Sequence, residues 1–231
     1  MIALSVRSFE FAHNSATAVK YEALYVKLDK QFSRRTQFLV SYTFDHSRDN
    51  APLVRYLDPF NPGIDVGPSN GERRHALVAS GAFVGPWGVT LGAVWTLRSQ
   101  LPWNATAGKD LNGDGFNSDL VPGTTRNSGS RDLNLSAVNV WRAANGLLPV
   151  DASQIDSSRI NTVDVRASKA FDLGGGAKLE FVAQAFNLFN TINLQAQYGG
   201  GRVTSSLSPN FGRIQTARPG TQGELAAKVT W

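Results

Sequence analysis

The side chains best spaced for chemistry are those of Asp110-Leu-Asn-Gly-Asp-Gly115, followed by Asn117-Ser-Asp119. Oxygen ligands alternate at Asp110, Asn112 and Asp114, and Gly115 stands sixth, where a calcium loop turns sharply. Ser118 falls ninth, the place of a water-mediated ligand. The twelfth residue is Val121, so the bidentate acid is missing, and Asp119 is the nearest substitute. The expected chemistry is weak calcium binding, on the order of 10⁻⁴–10⁻³ M, with the ion stiffening a loop rather than reacting. The competing reading is a polar turn closed by Asx hydrogen bonds, with no cofactor.

No other grouping suggests catalysis, and the chain is not expected to be an enzyme. His13, His46 and His75 are far apart, and none stands in a motif with an acid or a nucleophile. Gly174-Gly-Gly-Ala-Lys178 lacks the ending of a phosphate loop and reads as a tight turn. Without cysteine there is no disulfide and no thiolate metal site. The net charge of +5 comes from Lys and Arg scattered singly, with adjacent pairs only at Arg34-Arg35 and Arg73-Arg74. That is not a nucleic-acid surface. Asp164, Arg166, Lys178, Glu180, Gln184, Glu224 and Lys228 are different, because each shares a two-residue period with apolar neighbours.

That period defines the elements. In Glu224 to Trp231, the residues Leu225, Ala227, Val229 and Trp231 point one way and Glu224, Ala226, Lys228 and Thr230 the other, a half-buried strand. Seven further strands follow the same rule: Ile2 to Phe9, Tyr21 to Phe32, Gln37 to His46, two flanking Gly85-Pro-Trp-Gly88, Thr162 to Phe171, and Lys178 to about Phe189. The uncharged run Ala76 to Leu97 has the length of a membrane helix. Its Gly81, Gly85, Pro86, Gly88 and Gly92 make it a hairpin instead. Connections alternate between tight (Ser33 to Thr36, Gly85 to Gly88, Asp172 to Gly176) and long and polar (Asp45 to Glu72, Ser99 to Asn161, Asn190 to Gly223). An all-β fold of about eight antiparallel transmembrane barrel strands is expected, with short periplasmic turns and long extracellular loops. Its place is the bacterial outer membrane, and Leu225, Ala227, Val229 and Trp231 would form the insertion signal read by the barrel-assembly machinery. The polar set above would face the lumen. Phe32, Tyr42, Phe44, Trp87, Phe171 and Trp231 suit the interfacial girdles.

Several segments resemble one family. Glu72-Arg-Arg-His-Ala-Leu-Val-Ala-Ser-Gly81 is similar to a strand of TonB-dependent outer-membrane receptors of the Oar-like subgroup. Asp110 to Asp119 resembles a loop motif of the same receptors, Val163-Asp-Val-Arg-Ala-Ser-Lys-Ala-Phe171 another strand, and Ala185-Phe-Asn-Leu-Phe-Asn190 a strand end. Phe211-Gly-Arg-Ile214 fits too, and the order matches from about Tyr21 onward. The resemblance implies the C-terminal part of a 22-stranded barrel and energised uptake of a large solute. No plug is read in residues 1–231, and Met1 to Ser8 does not read as a signal peptide. TonB would be a partner only through a plug. Two other readings stay open: a stand-alone eight-stranded barrel with a structural or adhesive role, and a soluble calcium-assisted β-sandwich binding module.

Overall fold

Alternating apolar and polar residues extend the chain into strands, and Gly, Asn and Pro break it between them. The computed structural model describes residues 2–11, 18–50, 56–58, 61–196 and 201–231, with backbone alone for 2–11. The side chains of the first expected strand, Ile2 to Phe9, and His13 lie outside that description. The elements are β1 (Ile2–Phe11), β2 (Val19–Ser33), β3 (Thr36–Asp49), β4 (Gly67–Pro68), β5 (His75–Val84), β6 (Val89–Arg98), α1 (Leu135–Ala144), β7 (Ile160–Gly174), β8 (Ala177–Phe186) and β9 (Gln222–Thr230). Eight long strands pair antiparallel, each with its neighbour in sequence, and the two-residue β4 adds to β3. Among the described residues β1 pairs only with β2 and β9 only with β8, so the sheet is open.

The register puts the two residue sets on opposite faces. Val40, Ala79, Trp95 and Val163 form one cross-strand row, and Leu91, Ala167, Ala183 and Leu225 another, on the same face. These side chains are uncovered: Phe181 is 51% exposed and Leu225 85%. A soluble monomer does not carry an apolar face of that extent. In lipid the same face needs no cover, while the backbone polar groups are satisfied along the ladder. No helix among the described residues is long and apolar enough to cross a membrane. At the loop end of this face, Tyr42 bonds His75 (2.7 Å) and the Trp95 indole donates to Asn161 (3.0 Å), the amphipathic groups expected at a headgroup boundary.

Two features differ from the sequence expectation. The seventh expected strand stops at Phe186 rather than Phe189, because Asn187 and Asn190 adopt the left-handed conformation (φ 50° each) and turn the chain away. The long connections carry structure of their own: three 3₁₀ turns and α1. Asn134 caps α1 by accepting from the Ala137 amide (3.1 Å). Segments far apart in sequence meet above the sheet around Trp103, Ala105, Val121, Val138, Val150 and Phe211, all buried. This loop layer, the cap, holds the main apolar core of the described residues. The tight turns are as expected. Arg34 and Arg35 close one with φ of 50° and 65°, and Gly175-Gly176 another at 62° and 87°.

Candidate functional site

Two surfaces could meet a solute: the polar face of the sheet and the cap. On the polar face, Ser80, Ala82 and Gly92 floor a trough of about 630 Å³ with Asp29 and Gln37 on one flank and Asp164 and Arg166 on the other. The small floor residues belong to β5 and β6, and the charged walls come from the strands beyond. Arg166 lies 3.7 Å from Glu180, Lys27 lies 3.4 Å from Asp29, and Gln184 donates to Glu224 at 2.7 Å. Lys178 and Lys228 share this face through the pairs Lys178–Asp172 and Lys228–Glu180. All seven residues expected to face the lumen therefore lie on one polar face, mostly beside opposite charges or amides.

Asp164 also has a structural task. Its carboxylate accepts from the Asn187 amide at 2.8 Å, at the point where β8 ends. The Asn187 side chain then accepts from Thr191 N and donates to Thr191 O, both at 3.0 Å. Two separately noted motifs, Val163 to Phe171 and Ala185 to Asn190, thus meet in one lock.

The cap is held by buried charge. Glu72, 2% exposed, takes a forked pair of hydrogen bonds from Arg131 (3.2 and 2.9 Å), with Arg74 at 3.7 Å and His46 at 3.8 Å. Arg126 donates to the Asp49 carboxylate (2.6 Å), the Asp49 carbonyl (2.7 Å) and the Asp65 carbonyl (2.8 Å). Burial pushes the Asp65 carboxyl above the usual range, against the amide bond from Leu57 and the charge of Arg126. Arg142 donates to the carbonyls of Leu148 (2.8 Å), Ser208 (2.9 Å) and Ser206. Arg202 lies over Trp103, 4.6 Å from its ring centroid, and donates to the carbonyls of Gly212 (2.7 Å) and Asp156 (2.8 Å). Arg126, Arg131, Arg142 and Arg202 were not singled out from sequence. The available signal was isolated arginines inside Gly- and Asn-rich loops.

The Asp110 loop forms a closed polar turn. One Asp110 oxygen accepts from Gly113 N (2.7 Å) and Asp114 N (3.2 Å), and the other from Gly115 N (2.8 Å). Those amides hold the Asp110 carboxyl below its ordinary range, Gly115 contributing most. Asn112 accepts from Asp114 N (2.9 Å) and donates to the Leu57 carbonyl (2.9 Å), tying the turn to a second loop. Asp119, the expected substitute for the missing acid, lies at the base of this turn. It is buried, 7% exposed, and accepts from Leu111 N at 2.6 Å. Among the described residues no three acids, histidines or cysteines gather as a metal-holding group.

Leu225, Ala227 and Val229 lie on the apolar face opposite Ala183, Phe181 and Leu179, and Trp231 follows the strand fully exposed. A single antiparallel sheet, apolar outside and polar inside, with tight turns at one end and a packed loop layer at the other, is the sheet of an outer-membrane barrel. A family model described as outer membrane beta barrel domain matches residues 5–223, and the chain belongs to that family. It lies in the bacterial outer membrane. No curated protein and no solved structure matches the chain. The β-sandwich reading is thereby corrected, since among the described residues no second sheet covers the apolar face.

Proposed function

We propose that this chain forms the C-terminal part of the 22-stranded barrel of a TonB-dependent receptor of the Oar-like kind, which takes up a large solute of the siderophore, oligosaccharide or peptide class. The observation that supports it over a stand-alone eight-stranded barrel is the open sheet, in which β1 and β9 each keep one edge unpaired among the described residues. Closure removes edges in membrane barrels, and it calls here for further strands. The ordered motifs point the same way. In this reading the cap is the outward solute-binding rim, prefolded around Trp103 and Phe211, and the trough faces a plug carried elsewhere in the receptor. TonB acts on that plug. No catalytic step is assigned to these residues, and calcium, if it binds at Asp110 and Asp114, only stiffens the rim.

An antibody against the α1 segment, applied to blots of outer membranes, tests the architecture. A heat-modifiable band far above 24.9 kDa supports the receptor, and a heat-modifiable band at 24.9 kDa supports the small barrel. Uptake of labelled ferric siderophores, oligosaccharides and peptides, with and without an uncoupler, tests the activity. The gene deletion should abolish the uncoupler-sensitive uptake of one of them. Unchanged uptake of all three, together with the small band, would overturn the proposal.

A further inference from the structure

Lys169 stands on the apolar face. Its cross-strand partners are Val89 and Phe181, and Phe181 pairs onward with Ala227. It precedes the end of β7 at Gly174 by five residues. With a rise of about 3.4 Å per residue and a tilt of about 40°, that is about 13 Å along the membrane normal from the periplasmic turn and about 5 Å deeper than Phe171. A lysine at that depth must extend to the interface or find a counter-charge. The ammonium lies 4.8 Å from the Phe171 ring centroid, and Phe171 is two residues nearer the turn, so the side chain runs toward the periplasmic side. Among the described residues no carboxylate pairs with it. Lys30, also on this face near a turn, differs: it donates to Ser33 O (3.2 Å) and to the Thr36 hydroxyl within its own hairpin.

Beside Lys169 the face is hollow. A furrow of about 520 Å³ is lined by Val89, Phe181 and Ala227, and a second of about 700 Å³ by Gly81, Ala93 and Ala185. Both are also lined by Ala167 and Ala183, so they run into one another. The register places these small residues as neighbours: Gly81 against Ala93, Val165 against Ala185, and Ala167 against Ala183. Phe38, Phe83 and Leu91 stand along the wider part as walls. One apolar channel therefore ends at one unneutralised cation on the periplasmic side.

We propose that this furrow seats an anionic phospholipid of the periplasmic leaflet, one acyl chain along the Ala167–Ala183 floor and the phosphate on the Lys169 ammonium. The apolar channel accepts any acyl chain, and the charge selects the headgroup. A zwitterionic lipid brings its own ammonium to compete for the phosphate, and an anionic one does not.

The test uses the full chain purified from outer membranes, reconstituted, and probed by electron spin resonance with spin-labelled phosphatidylglycerol and phosphatidylcholine. The parent should prefer phosphatidylglycerol, with Lys169 contributing about fivefold, the factor one basic residue gives at an anionic surface. Lys169→Leu should lose that share and Lys169→Arg keep it. Ala183→Phe should reduce the immobilised fraction of both lipids. Equal binding of the two lipids by the parent, or a preference unchanged in Lys169→Leu, overturns the proposal. If Lys169→Leu yields no heat-modifiable band, Lys169→Gln replaces it, and a parent preference that survives 1 M salt overturns the proposal equally.

Discussion

Truncating Phe211 to alanine should open the cap and leave the sheet intact. Phe211 is fully buried, and its ring meets Trp103 edge-on at 5.6 Å with 61° between planes. Burial of a phenylalanine of this kind is worth about 3–5 kcal/mol on truncation, of which the edge-to-face contact supplies about 0.5–1.5 kcal/mol. The hole cannot easily close. On another side of Trp103 lies the Arg202 guanidinium, and Gly129 is packed so closely on the indole that an added Cβ would collide with it. The upper half of the range therefore applies, about 4 kcal/mol, which raises the population of the open cap on the order of a thousandfold. Protease added to intact cells reads that population when closing is faster than cleavage. Cleavage should appear within 99–159 or 187–221 while the strands still give a heat-modifiable species. As a control, Val140→Ala, at a position 68% exposed on α1, should stay within about 0.5 kcal/mol of the parent. If Phe211→Ala keeps its loops protected, or if sheet and cap are lost together, the cap is not a separate layer with its own core.

Glu72→Ala should loosen the same layer by about 2 kcal/mol, the scale of a charge-assisted pair partly open to water, since Arg131 is 28% exposed; near-ultraviolet circular dichroism of the tryptophans would follow the change. Gly129→Ala should cost about 1–3 kcal/mol by overpacking the Trp103 indole, seen as a lower melting temperature of the same signal. Val165→Arg, facing lipid near mid-strand, should cost about 2–4 kcal/mol in refolding into vesicles. Val94→Arg, in the trough, should cost far less, and equal costs would refute the assignment of faces. The Asp110 turn should also depend on pH. Its carboxyl is depressed when folded, so its contribution is present above the unfolded carboxylate value and is lost as pH falls through the lower folded one. Pepsin cleavage after Leu111 or Phe116 should therefore rise on acidification below the ordinary carboxylate range, while Asp110→Asn is cut readily at every pH.

The sheet was legible because lipid enforces a simple rule. Outward positions are apolar through the middle of the strands and each backbone group must find a partner in the ladder, so Val163, Val165 and Ala167 alternate with Asp164, Arg166 and Ser168, and Lys169 departs from the pattern only nearer the turn. Loop lengths then sorted the two ends. Boundaries were less legible: β2 and β3 run one to three residues past the expected ends, since polar residues such as Lys20 and Arg48 continue the ladder above the apolar band. The end of β8 depended on Asn187 taking a left-handed conformation that Asp164 holds from another strand. Nothing local to Asn187 announces that.

The cap was hidden for a different reason. Its core draws single residues from positions as distant as Trp103 and Phe211, each set among Gly, Asn and Ser, so no window carries a period. Irregular backbone also leaves carbonyls that no ladder accepts, and a buried carbonyl without a donor is costly. Guanidinium groups solve this economically in space, because five donors on one plane reach several carbonyls at once. Arg142 does so for Leu148, Ser206 and Ser208, Arg202 for Asp156 and Gly212, and Arg126 for Asp49 and Asp65. Burial lowers the Arg202 pKa to about 10, so it stays charged at neutral pH. The basic net charge thus has a structural explanation in part. A share of it lies inside the cap, bonding loops to loops, and a loop layer built in this way is held in one arrangement by its own donors.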